Sequence, residues 1–224
     1  MDWLRFVQAL VCDFDGTLAE ARYDFAAMRA RVATLAGEYG VGEEHLAGVH
    51  TLEGIAHAAA LLGDRGPEFA RRADALCVEI EMAGARKGRL LPEAVTALGR
   101  LRQSGRRIAV ITRNCRPAVD LIVGGQQVGW QALLTREDVP LPKPHPDHAL
   151  RALAAVGADA AGAVMVGDHP MDVETGRRAG LRTVGVLTGA GSREVLQAAG
   201  ADLVLPDLTA LAALLLEGDE YAPD

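Results

Sequence analysis

Lysine is nearly absent from this 224-residue chain: of 23 basic residues only Lys87 and Lys143 are lysine, and the rest are arginine. A position that keeps lysine amid so much arginine asks for a compact ammonium in place of a planar guanidinium. With alanine also abundant, the bias suggests a GC-rich bacterial source. Cysteine is scarce too. Cys12, Cys77 and Cys115 have no metal-type spacing and cannot all pair, which suits a reducing cytoplasm. No apolar run, residues 211–216 included, approaches the roughly 20 residues of a membrane span. Asp2 and Arg5 interrupt the N-terminal apolar stretch and no small-residue cleavage site follows, so no signal peptide is expected. There is no excess of positive charge either. A net charge of -7 argues against a nucleic-acid partner but leaves small anions open, because a local site can be positive in an acidic protein.

What is present is ordinary for a globular chain: about half the residues are apolar and 24% are charged, without long polar tracts. Disordered, collagen-like and coiled-coil chains look different. The length allows one to two domains, and a chain of this size buries roughly 70% of its unfolded surface without disulfides or metals to staple it.

Residues 7–13 form an apolar run that ends in acidic residues and glycine, as a buried strand feeding a loop does. From Asp24 to about Arg86 apolar residues recur three and four apart, with breaks at residues 40–42 and 63–67, which predicts three helices. After Gly88 strands and helices alternate. Strands are expected at 107–112, 132–135, 163–167, 183–186 and 203–205. Helices are expected from near Pro92 to Ser104, and over 117–123, 148–156 and 172–179, with a last one capped by Asp207. Such alternation implies βαβ units and a mainly parallel sheet with helices on both faces. Ligands of these sheets sit beyond the carboxyl ends of the strands.

Four strand ends carry chemistry. The first reads Asp13-Phe14-Asp15-Gly16-Thr17: two carboxylates one residue apart repel unless they share a cation or proton, although Asp-Gly is also a common turn. The second reads Thr112-Arg113-Asn114, where a hydroxyl and loop donors before a helix suit a phosphate oxygen, or simply end a strand. The third, Pro142-Lys143-Pro144-His145-Pro146, fixes the backbone around one of the two lysines, as a functional loop or a surface turn would. The fourth, Gly167-Asp168 with Asp172 four residues later, offers two carboxylates, of which Asp168 could equally be a helix N-cap.

Together and in this order, the four segments closely resemble the signature of the haloacid dehalogenase superfamily of phosphohydrolases. The resemblance covers residues 7–18 and about 90–216. It implies a Rossmann-like α/β core over residues 1–18 and 90–224, with a small all-helical cap, 19–89, inserted after the first strand. It further implies that Asp13 is the nucleophile that forms an aspartyl phosphate, and that Asp15 is the acid and then the base. Mg²⁺ would be held by Asp13, Asp168 and the backbone carbonyl of Asp15. Thr112 and the amides of Arg113 and Asn114 would hold the phosphate oxygens, Lys143 would bind the phosphate and offset charge on Asp13, Thr17 would steady the loop, and Asp172 would hold a metal-bound water or Lys143. Because Asp15 is present, the resemblance points to phosphate-ester hydrolysis in place of carbon–halogen cleavage.

The implied activity is a Mg²⁺-dependent phosphatase of the cytoplasm, acting on a small phosphorylated metabolite as a monomer or homodimer. A phosphotransferase or mutase is the alternative within the superfamily, and a binder of phosphorylated metabolites without turnover the alternative outside enzymes. Arg22, Tyr23, Arg29, His50, His57, Arg86 and Lys87 are the cap residues that could touch substrate, each of which could instead be a solvated or paired surface residue. The segment 19–25 departs from the phosphoglycolate-phosphatase-like pattern, whereas the run 189–194 is similar to it.

Overall fold

Short apolar runs make the strands of the main sheet, and the strands in chain order are β1 (Ala9–Asp13), β2 (Ala19–Glu20), β3 (Arg89–Leu90), β4 (Arg107–Ile111), β5 (Ala132–Leu134), β6 (Ala163–Gly167), β7 (Arg182–Val186) and β8 (Leu203–Leu205). The helices are α1 (Phe25–Glu38), α2 (Thr51–Leu61), α3 (Gly66–Ala85), α4 (Pro92–Gln103), α5 (Arg116–Val123), α6 (Pro146–Ala155), α7 (Pro170–Arg178), α8 (Arg193–Ala198) and α9 (Leu208–Asp219). These come from a computed structural model that describes residues 1–219; residues 220–224 of the expected core lie outside it. Among the described residues, no helix is long and apolar enough to cross a membrane.

The chain divides into two compact units, Met1–Ala21 with Gly88–Asp224, and Arg22–Lys87. In the larger unit, six parallel strands are ordered β5-β4-β1-β6-β7-β8, and β2 and β3 form a separate antiparallel pair. Every residue of β1 and β6 is buried, as expected of parallel strands covered on both faces. One face packs Val11, Ala109, Ile111 and Met165 against Ala149, Ala152 and Leu153 of α6. β1 lies between β4 and β6, so the chain leaves it first in one direction and later in the other. That reversal is the switch point at which open α/β sheets place their ligands, and Asp13 is the last residue of β1.

The smaller unit has its own core. Met28, Val32, Leu35 and Ala36 of α1 meet Ile55 and Ala58 of α2 and Phe69, Ala73 and Cys77 of α3. The spacings of three and four that announced these helices are the spacings of their buried faces.

Two helix starts differ from expectation for one reason. α6 and α7 begin at Pro146 and Pro170, two residues before the sequence reading placed them. Proline at the first helical position has its φ preset and no amide to leave unbonded, so it opens a helix that apolar spacing reveals only later. The cap of α7 is therefore His169, whose Nδ1 accepts from the Met171 amide at 3.1 Å, and Asp168 is not an N-cap. Pro67 likewise lies in the first turn of α3, not in a break. The short pairing of β2 with β3 and the six-residue α8 carried too little periodicity to be seen.

Close packing of α7 on the sheet depends on Gly176, where a Cβ would lie 2.6 Å from Met165 Cβ and Thr183 Cγ2. Gly176→Ala should destabilise the fold by about 2 kcal/mol, as overpacking does, despite alanine's better helix propensity. Equilibrium denaturant unfolding checks this, and a gain in stability would refute the packing argument.

Candidate active site

The site grows from the tip of β1. Phe14 points inward, fully buried, with an edge-on contact to Trp130 at 6.3 Å, so the carboxylates on either side of it are held apart in fixed directions. Gly16 then turns the chain with φ +83°, and a side chain there would strike the Asp168 carboxylate. β6 ends at Gly167, and Asp168 follows at the mouth of α7. Asp172, in the first turn of α7, closes a capping box by accepting from the His169 amide at 3.0 Å.

Carboxylate oxygens of Asp13, Asp168 and Asp172 all lie within 4.8 Å of one another, and all three residues are buried. The Lys143 ammonium sits between two of them, 2.5 Å from Asp13 Oδ1 and 2.6 Å from Asp172 Oδ1, and is itself only 4% exposed. Asp168 accepts from the Ala190 amide at 2.8 Å and from the Thr17 hydroxyl at 3.3 Å. A Cβ on Gly189 would overlap the Asp168 carboxylate, so that residue must be glycine for the 188–191 loop to approach. Thr188 ties the same loop back to the Gly16 carbonyl at 2.6 Å.

Asp15 lies apart from this cluster. Its Oδ2 accepts from the Thr112 hydroxyl at 2.9 Å and its Oδ1 from the Asn114 side-chain amide at 3.3 Å. The Thr112 hydroxyl in turn accepts the Asn114 backbone amide at 3.0 Å. Arg113 turns its guanidinium to the Lys143 carbonyl, 2.5 Å away, with the Met171 sulfur beside it.

The sequence-derived residues Asp13, Asp15, Thr17, Thr112, Arg113, Asn114, Lys143, Asp168 and Asp172 thus meet through direct contacts at one end of the sheet. Of the two uses expected for Asp172, the one seen is to hold Lys143. Contributors not foreseen are the Ala190 amide, the Gly189 approach, the Thr188 hydroxyl and His148, whose Nδ1 accepts from the Lys143 amide at 3.2 Å. The first two act through backbone and shape, which leave no residue-type signal. The cap candidates all lie in the smaller unit, exposed except for half-buried Tyr23.

Charge is out of balance. Burial, then Asp172, raise the Asp13 carboxyl well above its ordinary range, with Asp168 and Asp15 adding to them and Lys143 opposing. Burial and Asp172 likewise raise Asp168, against the Ala190 amide and Lys143. Lys143 is raised by its two carboxylates despite burial. One ammonium faces three clustered carboxylates, and the donors around the gap are hard oxygens. This donor set fits a small divalent cation such as Mg²⁺, which favours few protein carboxylates. By contrast, burial pushes the Cys12 thiol up to about 12, so it is no nucleophile at neutral pH.

A sequence model of the haloacid dehalogenase-like hydrolases matches residues 7–180, more than half of the chain. The chain belongs to this family. It is 30% identical to a phosphoglycolate phosphatase of Xanthomonas campestris over 83% of its own length and 86% of the relative's. It is 31% identical to the pyrophosphatase PpaX of Bacillus velezensis over 51% of this chain and 54% of that one. The chain spans about half the length of the first curated relatives it matches. Among solved structures, a hydrolase from Pseudomonas syringae superimposes with a TM-score of 0.68 at 23% identity, covering 96% of this chain and all of that one. That likeness is one of fold.

The raised carboxyls give stability a definite pH dependence. A carboxyl whose folded pKa lies above its unfolded value of 3.8 leaves the fold unpenalised below that value and costs stability as pH rises through the raised one. In EDTA at pH 7.5, Asp168→Asn should therefore melt several degrees above the parent, about 1 kcal/mol for a domain of this size. The gap should close near pH 4. A variant less stable than the parent at pH 7.5 would contradict the charge imbalance.

Proposed function

We propose that this protein is a Mg²⁺-dependent phosphatase that hydrolyses a small phosphorylated metabolite through an aspartyl-phosphate intermediate. The observation that carries the reading is the pairing of Asp13 with Lys143 at the switch point of the sheet, two residues before a second carboxylate held by Thr112 and Asn114. Family membership and relatives named as phosphatases support it.

In this reading an Asp13 oxygen attacks phosphorus, forming the acyl phosphate and breaking the bond to the leaving oxygen. Asp15 gives that oxygen its proton. It then takes a proton from the water that attacks the acyl phosphate, which returns Asp13 and releases phosphate. Lys143 neutralises charge on Asp13 and the transferring group. The Thr112 hydroxyl and the Asn114 amide, engaged with Asp15 in this structure, turn to the phosphoryl oxygens when substrate binds, which frees Asp15 for proton transfer. Asp13 and Asp168, with the Asp15 carbonyl, would hold Mg²⁺. The ion supplies the positive charge that the carboxylate cluster lacks. Asp172 fixes Lys143. The protein works in the cytoplasm as a monomer or homodimer.

Phosphate release should be measured with Mg²⁺ and then EDTA on phosphoglycolate, sugar phosphates, nucleoside monophosphates, pyrophosphate and an aryl phosphate. Release should require the metal and fall by at least about a thousandfold in Asp13→Asn, because an amide is a poor nucleophile. Asp15→Asn should lose turnover of poor leaving groups while still accepting phosphate from the aryl ester. Activity of Asp13→Asn within a few-fold of the parent would remove the nucleophile assignment.

A further inference from the structure

Lys143 is buried, and each of its backbone polar groups is held by a side chain. Its N–H donates to Nδ1 of His148 at 3.2 Å, and its carbonyl accepts from Arg113 at 2.5 Å. Neighbouring Pro142 and Pro144 have no amide to offer in its place. His148 stands in the first turn of α6 with no exposed surface. Its Nε2 lies 3.1 Å from the carbonyl of Leu134, the last residue of β5. That same carbonyl also accepts the Thr112 amide at 3.0 Å. The imidazole therefore ties the Lys143 segment to the end of β5, whose Leu134 carbonyl in turn holds the backbone of Thr112.

Its protonation follows from its partners. An amide can only donate, so Nδ1 must be the acceptor. A carbonyl can only accept, so Nε2 must bear the hydrogen. The ring is then neutral. Burial, followed by the charge of Lys143, moves its pKa down to about 4, in keeping with a neutral ring.

We propose that His148 is a positioning residue for the phosphoryl-transfer site: as a neutral Nε2–H imidazole it fixes the Lys143 backbone, and through the Leu134 carbonyl holds it in register with Thr112. The role of Lys143 in turnover rests on the phosphatase reading above, but the positioning does not. Arg113 secures the other side of the Lys143 peptide and so acts with His148. A lysine side chain has four flexible methylenes, and its ammonium can be held between two carboxylates only as well as its Cα is held.

The near-absence of lysine makes the test direct. Protein labelled with ¹⁵N and ¹³C lysine carries two side-chain resonances, with exposed Lys87 as an internal control. His148→Leu removes both hydrogen bonds. His148→Gln keeps a donor near Nε2 but offers nothing at Nδ1. His148→Asn keeps an acceptor near Nδ1. In Leu and Gln the Lys143 resonance should move toward that of Lys87 and broaden, whereas Asn should stay close to the parent. Phosphate release should follow the same order, with kcat falling about tenfold or more in Leu and Gln and by a few-fold in Asn, the scale expected of a displaced catalytic group.

In the parent, imidazole ¹⁵N shifts should report the neutral Nε2–H tautomer for His148, a measurement that needs no variant to fold. An Nδ1–H tautomer, or a Lys143 resonance unchanged in Leu, would overturn the proposal. A parent chain that releases no phosphate from any ester would overturn the phosphatase reading and leave the lysine and histidine spectra to decide this one.

Discussion

Everything at the end of the sheet turns on one ammonium placed between two buried carboxylates. Lys143 reaches Asp13 at the tip of β1 and Asp172 in the first turn of α7, so it joins two elements that the sequence separates widely. Breaking a buried pair on one side leaves a naked charge and costs several kcal/mol, whereas the intact arrangement gives little net stability. Such a pair is retained for what it positions. Here it sets the direction of the Asp13 carboxylate, with one ammonium set against three clustered carboxylates.

The surrounding fold provides the fixed points. β1 is central and wholly buried, so its last residue has little freedom to move. β4 brings Thr112 alongside, β6 brings Asp168, and the capping box of α7 locks Asp172. Two glycines let loops approach the Asp168 carboxylate from different sides, Gly16 and Gly189. The Ala190 amide then donates to Oδ2 of that carboxylate, and the Thr17 hydroxyl to Oδ1. Rigid strands position the carboxylates, and the loops satisfy them.

Most of this was legible in the sequence because it is written in residue types. Apolar runs closed by Asp or Thr gave β1, β4 and β6 their ends, and the three- and four-residue spacing gave α1 to α3 their buried faces. What stayed hidden is written in backbone. The helix starts at Pro146 and Pro170 precede the first apolar repeats, and β2–β3 is a two-residue pairing that any sequence could make. The engagement of Thr112 and Asn114 with Asp15 is a third case: the family resemblance assigned them to a phosphate, and in the structure they hold a carboxylate of the chain itself. His148 was invisible for another reason, since a histidine in a helix announces neither its tautomer nor its partners.

The choice of lysine at position 143 follows from the geometry. Two carboxylate oxygens from different elements approach a single nitrogen at 2.5 and 2.6 Å, in a buried space between Asp13 at the end of β1 and Asp172 in the first turn of α7. A guanidinium spreads its hydrogens over a plane and prefers two oxygens of one carboxylate side by side. It would have to push Asp13 and Asp172 apart to be accommodated, and in doing so would turn the Asp13 carboxylate away from the end of β1. A chain that uses arginine at nearly every other basic position has kept lysine at the one buried place where charge must converge on a point.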